Sequence, residues 1–446
     1  MHTPPHPGDL AILRGQEPGH QPLLEDPVAA ATRLWQALRP ERWPLAPAAL
    51  PPGTALVGGA VRDGLLGRLG DTPDLDLVVE GDAIALCRTL QQRHGGACVV
   101  LDAERSMARL VLQGWSLDLA RMEPGGLHQD LARRDYTINA MALPLDSGQP
   151  LVDPHGALAH LAAGSLVAIS EANLLDDPLR LLRGVRLACE LEMRLEAETA
   201  ALIQRHGHQL TSVAPERVLA ELWKLATAPC GDHGLTQALT MGLLDPWLAL
   251  DATHPPAELL ALLKPQRARD LGMTAAEQER ALPLARLSAL LRPDALERLR
   301  SSRSLQQRCA RLRPWQQRLC LAADGNADRS PTTDAEDPEQ LNERERLLLH
   351  RSLDQDLPAL LLQAPAPLAR RWLERWRDAN DPLFHPRPPL NGADLQQALD
   401  LKPSPRLGAL LDHLMHEQAF GRIVSREDAL EEARHWLSTA AQGCGH

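Results

Sequence analysis

Phenylalanine and tyrosine are nearly missing from this chain. Its 446 residues include two Phe and one Tyr, and aromatics together make up 3%. Hydrophobic cores must therefore be built from Leu, Ala and Val, a composition that leans helical. Cysteine is sparse and scattered: Cys87, Cys98, Cys189, Cys230, Cys309, Cys320 and Cys444 form no C-x-x-C and no zinc-type spacing. Neither a disulfide framework nor a structural zinc site is indicated, and a reducing, cytoplasmic setting fits. No apolar run reaches membrane-spanning length, and the His- and Pro-rich start lacks a basic region leading into an apolar one, so a soluble, unexported protein with no membrane partner is expected. Internal repeats of fixed period are absent, as is any His-Asp phosphohydrolase motif.

The length suggests two to four domains, and the hydrophobic share of 44% is that of an ordinary globular protein. A formal net charge of -11 argues against a uniformly basic nucleic-acid binder. The charge is uneven, however. Lys264 to Arg318 holds 13 Lys/Arg against 5 Asp/Glu, which reads either as arginine-studded helix surface or as a face tracking phosphates. Residues 322–340 read as an acidic, polar linker.

Residues 1–27 read as a flexible extension, followed by a helix over Val28–Leu38. Short strands are expected at Ala55–Val57, Leu75–Val79, Cys98–Leu101, Met107–Leu112 and Trp115–Ala120, with helices at Ala60–Leu66 and Asp82–His94. This is a mixed α/β unit with a sheet of about five strands. After about residue 155 strands are expected to stop, with helical spacing over Leu174–Leu191, Glu196–Gln204, Pro215–Ala226 and beyond.

The motifs that carry chemistry lie in the first half. At Gly58-Gly59, missing β-carbons let a phosphate approach the backbone, and Arg62 on the following helix adds a charge-assisted contact. Asp74 and Asp76 alternate with Leu75, so both carboxylates share one strand face. They would repel unless a cation lay between them, and hard oxygen ligands suit Mg²⁺. Asp118, on another strand, either completes a carboxylate cluster that deprotonates an attacking hydroxyl or is merely exposed. The run Asp130 to Met141 sets Arg133, Arg134, Asp135 and Asn139 directly before apolar residues, polar groups held at a core edge. Asp177-Pro178 marks a helix start, and Asp177, Arg180, Arg183 and Arg186 recur every third residue, so neighbours share a face. Three arginines behind one acid look like a ligand surface.

In this order, GGAVRD, D-x-D, RRDYTINAMA, DDPLRLLRGVR and then Glu216-Arg217-Val218 with Glu221 and Lys224 resemble the class II tRNA nucleotidyltransferase and bacterial poly(A) polymerase family. The resemblance covers roughly residues 53–226, and Leu390–Leu395 and Pro403–Gly421 are similar to the family's C-terminal segment. It implies an α/β head with a polymerase-β-like nucleotidyltransferase sheet (28–165), followed by an all-α neck (166–230), body (231–380) and tRNA-contacting tail (381–446). It also implies Mg²⁺ held by Asp74 and Asp76, with Asp118 beside them in the catalytic set. Gly58, Gly59 and Arg62 would engage the triphosphate, and Arg133, Arg134 and Asp135 the ribose, with Asn139 in the same nucleotide site. Asp177 and Arg180 would read the base edge with Arg183 and Arg186 nearby, and Glu216 and Arg217 would brace that helix.

The implied activity is template-independent addition of CCA to the tRNA 3′ end from CTP and ATP. The alternatives are a CC-adding specialist, a poly(A) polymerase, or an RNA-binding protein without catalysis. The chain departs from the family pattern at Asp176, where most members have Glu, and in the segment with Ala157, His160-Leu161 and Leu166-Val167. The connection from Arg121 to Asp130, with Gly125-Gly126 at its middle, is also short. CCA-adding members carry a longer flexible loop there that helps switch the pocket from C to A, and a shortened one resembles the CC-adding specialists.

Overall fold

The computed structural model describes residues 26–146, 148–248, 260–318 and 340–442. The expected N-terminal extension falls almost wholly outside the described residues, as does the acidic linker at 322–340. The chain divides into two compact units, Met1–Ser212 and Val213–His446.

The first unit begins with α1 (Pro27–Leu38), capped by the Asp26 carboxylate, which accepts from Val28 N at 3.0 Å. There follow β1 (Ala55–Val57), α2 (Gly59–Leu65), β2 (Leu75–Val79), α3 (Ala83–His94), β3 (Ala97–Asp102), β4 (Met107–Leu112), β5 (Trp115–Arg121), α4 (Leu127–Ala132) and β6 (Ala142–Pro144). The strands form one sheet in the order β3-β4-β5-β2-β1-β6, in which only the β2–β5 pair is parallel. Alternation sorts the side chains. Leu75, Leu77, Leu110, Leu117 and Leu119 are at most 1% exposed on the face that carries α3. Asp76, Asp118 and Arg109 line up on the other face, because Asp76 is opposite Asp118 and Asp118 is opposite Arg109.

The sheet thus has one strand more than the alternation pattern predicts. β6 is three residues ending in Pro144, too short to show a period-2 signal, and proline is tolerated there because β6 is an edge strand. Strands do not stop at residue 155 either. After α5 (Ala157–Ala162), the two-residue strands β7 (Ser165–Leu166) and β8 (Arg194–Leu195) pair in parallel around α6 (Glu171–Asp176) and α7 (Leu179–Glu190), ahead of α8 (Ala197–His206). The helix expected over Leu174–Leu191 is broken at Asp177-Pro178. A residue before proline is pushed out of the helical region, and Asp177 sits at φ -140°, ψ 95°.

The second unit is helical, with α9 (Pro215–Thr227), α10 (Gly231–Thr240), α11 (Pro265–Asp270), α12 (Ala275–Leu290), α13 (Pro293–Arg298), α14 (Arg303–Arg318), α15 (Glu343–Leu353), α16 (Leu357–Leu361), α17 (Ala366–Arg377), α18 (Gly392–Leu399), α19 (Pro405–Ala419) and α20 (Arg426–Gln442). Among the described residues no helix is long and apolar enough to cross a membrane.

Much of the basic excess of Lys264–Arg318 is absorbed in packing. Arg286, 0% exposed, donates to the carbonyls of Leu263 (3.0 Å), Ala226 (2.7 Å) and Ala228 (3.2 Å) and pairs with Asp232 at 3.3 Å. Arg313 donates to Leu291 O, Arg267 to Ala364 O, and Arg308 pairs with Asp356. Glu216, expected to brace the base-reading helix, pairs with Arg300 at 2.6 Å. Replacing Arg286 by Met should lower stability by about 3 kcal/mol, because Asp232 and the carbonyls around it lose their buried partner. Urea unfolding checks this, and a midpoint unchanged from the parent chain would refute it.

Candidate active site

The site is built where β1 turns into α2. Gly58 sits at φ 73°, ψ -139°, a conformation open to glycine, and a β-carbon there would lie 2.8 Å from Asp76 Oδ2 and 3.5 Å from Arg134 Nη1. The turn is therefore pressed directly against the carboxylate row. Gly59 opens α2, and one turn on, Arg62 forks onto Asp63 (2.9 and 3.0 Å) while its Nη1 donates to Asn139 Oδ1 at 2.6 Å.

Asp74 lies exposed one residue ahead of β2, and Asp76 is half-buried within it. Burial, and then the neighbouring charges of Asp118 and Asp74, push the Asp76 carboxyl up to about 6 against the opposing pull of Arg134 and Arg109. Both oxygens of Asp118 accept from Arg109, at 2.7 and 2.8 Å. Among the described residues no three His, Cys, Asp or Glu side chains form a ready-made metal cage. Two crowded carboxylates fit a Mg²⁺ ion, which takes few protein ligands and leaves positions for phosphate and water. A cation there would also relieve the repulsion at Asp76.

The RRDYTIN segment meets α6 and α7 through a set of hydrogen bonds. The Asp135 carboxylate, buried, accepts from Asn139 Nδ2 (3.1 Å), from Tyr136 N (2.8 Å) and, on its other oxygen, from Arg183 Nη1 (3.3 Å). Arg62 thus connects through Asn139 and Asp135 to Arg183 on α7. Arg134 pairs with Asp130 at 3.1 Å, and Arg133 with Glu123. Asp177 Oδ1 accepts from Leu179 N at 3.3 Å, at the start of α7. Arg180 spends Nη1 on the carbonyls of Asn173 (2.7 Å) and Arg133 (3.2 Å), and Arg186 pairs with Glu190 at 2.5 Å. The arginine row of α7 is therefore partnered: Arg183 and Arg186 hold carboxylates, while Arg180 is held to the backbone of the RRDYTIN segment and α6.

Three contributors escape a reading of the sequence. Asn173 clamps the segment from α6, its Nδ2 donating to Ala132 O (2.8 Å) and Arg134 O (2.7 Å). The Tyr136 hydroxyl donates to Arg180 O at 2.8 Å. Arg109 had a usable signal: Gln113-Gly114, both at positive φ, make a two-residue hairpin turn, and counting outward from it sets Arg109 opposite Asp118.

Residues 54–167 match the family model described as the poly A polymerase head domain, and residues 192–250 the one described as "Probable RNA and SrmB- binding site of polymerase A". A CC-adding tRNA nucleotidyltransferase of Synechocystis is 33% identical over 415 residues, 87% of this chain and 94% of that protein. The chain belongs to the tRNA nucleotidyltransferase family. It is accordingly an enzyme, a nucleotidyltransferase. An A-adding tRNA nucleotidyltransferase of Halalkalibacterium halodurans is 30% identical over 414 residues, covering 86% of this chain and 88% of that one. The fold is also that of the Thermotoga maritima CCA-adding enzyme complexed with tRNA, at a TM-score of 0.64 and 20% identity over 96% of this chain and 98% of that one.

The raised Asp76 carboxyl has a pH signature. The folded chain keeps a proton that the unfolded chain has lost between about pH 4 and pH 6, so without metal this group makes stability fall as pH rises through that window. In EDTA at pH 7.5, Asp76→Asn should melt a few degrees above the parent chain, with the gap closing towards pH 4. Added Mg²⁺ should stabilise the parent and not the variant. Thermal melts at both pH values check this, and a gap that does not change with pH would refute it.

Proposed function

We propose that this nucleotidyltransferase adds CC to the 3′ end of tRNA from CTP, without a nucleic-acid template. The observation that carries the choice of product is the link between β5 and α4. The helix α4 begins at Leu127, which leaves Met122–Gly126 as the connection, and this is tied by Met122 N to Val79 O (2.8 Å), Gly126 N to Glu123 O (2.9 Å) and the Glu123–Arg133 pair. A five-residue link held this way has little length with which to remodel a pocket from C to A. The match along nearly the whole length of a relative named as CC-adding supports the same reading. CCA addition from CTP and ATP is the second reading, favoured by the fold shared with CCA-adding enzymes.

In the reaction, the tRNA 3′-hydroxyl attacks the α-phosphorus of CTP in line. The bond from the α-phosphorus to the α,β-bridging oxygen breaks, the hydroxyl proton passes to solvent or a nearby carboxylate, and pyrophosphate leaves. Asp74 and Asp76 would hold Mg²⁺, which when bound neutralises charge on the attacking and leaving oxygens. Asp118, oriented by both hydrogen bonds from Arg109, flanks Asp76. The Gly58-Gly59 backbone admits the triphosphate, and Arg62 offers it a cation from a position fixed by Asp63 and Asn139. Arg133, Arg134 and Asp135 border the ribose. Asp177 and Arg180 present acceptor and donor to the base edge, so that cytosine is accepted where uracil would leave groups unpaired.

Incubation with Mg²⁺, labelled CTP, ATP or both, and tRNA ending before CCA, after C or after CC tests this by product length. Two added residues with CTP, unchanged by ATP, are expected. Three with both nucleotides would transfer the reading to CCA addition, long A tails to poly(A) synthesis, and no incorporation would sink the proposal. Asp74→Ala and Asp76→Ala should each cost at least about a thousandfold in kcat. Arg180→Ala should lower the preference for CTP over UTP about tenfold or more while leaving tRNA affinity within about twofold.

A further inference from the structure

Tyr136 is the one tyrosine in the chain and is 0% exposed. Its hydroxyl donates to the main-chain carbonyl of Arg180 at 2.8 Å, in the first turn of α7. The ring end lodges over Gly184 on the same helix, where any β-carbon would overlap the hydroxyl and where Ile203 closes the other side. The traffic is reciprocal: the Arg180 guanidinium donates to the carbonyls of Arg133 and Asn173. The neighbouring residue, Asp135, holds Arg183 one turn along α7. Arg180 is thus pinned at both ends, its backbone by Tyr136 and its side chain by carbonyls of the RRDYTIN segment and α6.

A phenylalanine would fill the same space. What the tyrosine adds is one directed bond to a carbonyl already engaged by the helix, using that oxygen's second lone pair. Burial raises the phenol well above its ordinary range, so it remains a donor at every working pH. Donors that read a base must hold their place to within a fraction of an ångström to discriminate well.

We propose that Tyr136 is a positioning residue for base selection, its hydroxyl fixing the backbone of Arg180 so that the guanidinium meets the incoming base in one register. This rests on the reading of Arg180 as a base-reading residue. The hydroxyl is buried on the Arg180 carbonyl, and its effect runs through Arg180. Its removal changes selectivity and leaves the chemistry of cognate addition largely intact.

The test compares kcat and KM for CTP and UTP in single-nucleotide addition to tRNA lacking CCA, across the parent chain, Tyr136→Phe, Gly184→Ala, Ile203→Val and Arg180→Ala. Tyr136→Phe should cut the CTP to UTP ratio of kcat/KM about tenfold, the scale of one lost hydrogen bond. Its kcat for CTP should stay within about threefold and its melting temperature within a few degrees. Gly184→Ala displaces the hydroxyl without deleting it and should lower the ratio in the same direction. Ile203→Val removes one methylene from the same pocket, leaves the hydrogen bond, and should leave the ratio at the parent value. If Arg180→Ala loses selectivity and Tyr136→Phe keeps it, the positioning role is overturned while the base-reading role stands. Equal losses in Ile203→Val and Tyr136→Phe would overturn it as well, since packing alone would then explain the effect. An Arg180→Ala variant as selective as its parent would overturn the base-reading role and this proposal with it.

Discussion

Like charge crowded on one strand face is the constraint around which the first unit is arranged. Asp76 is flanked by Asp74 just ahead of its strand and by Asp118 across the parallel pair, and burial is the largest part of the penalty of ionising it. Nothing in folding alone recommends such a row. The surroundings compensate in part: Arg109 grips Asp118 from the next strand, Arg134 approaches from the RRDYTIN segment, and the glycine at position 58 lets the backbone pass within contact of the carboxylate. Functional sites commonly hold groups in arrangements that the rest of the fold must stabilise. Here that compensation comes from three separate elements converging on the Asp76 and Asp118 carboxyls.

The same convergence explains why α7 is so heavily tied down. Polar residues every third position would leave an isolated helix with one charged face exposed to water. Instead Arg183 reaches Asp135, Arg186 reaches Glu190, and Arg180 is held from two directions. Through Asn139 and Asp135, the arginine beside the glycine turn and Arg183 of α7 belong to one hydrogen-bonded set. The glycine turn and α7 are therefore mechanically continuous, although Arg62 and Arg183 lie more than a hundred residues apart in the chain.

How much of this can be read from the chain depends on whether the cause is local. Asp76, the glycine turn and the helix start at Asp177-Pro178 are local patterns of period two, backbone freedom and ring geometry, and they lie where the pattern puts them, while Asp74 falls one residue ahead of the strand expected to carry both aspartates. The tertiary attachments are another matter. Asn173 bonds two carbonyls about forty residues away, and no spacing announces it. Strand β6 is specified by its pairing with β1 and by an edge position that tolerates Pro144, so its own three residues carry almost no signal. Arg109 is the intermediate case. Its partner follows from a two-residue turn once the strands are taken as a hairpin. The basic stretch Lys264–Arg318 shows the opposite error: charge counted along a chain does not reveal how much of it faces inwards.

That inward-facing arginine has a bearing on the second unit's tolerance of its medium. Arg286, Arg267 and Arg313 direct guanidinium N–H groups at the backbone carbonyls of Leu263, Ala364 and Leu291 respectively, and the exposed Arg370 and Arg377 do the same at Asp270 and Gly272. A hydrogen bond from a cation to a peptide dipole acts over a few ångströms, well inside the screening length of physiological saline. Exposed ion pairs weaken as ions accumulate around them, whereas short contacts of this kind, especially the buried ones, do not. These attachments should therefore respond less to ionic strength than the exposed ion pairs of the same unit, such as Arg300–Glu216 and Arg351–Asp412.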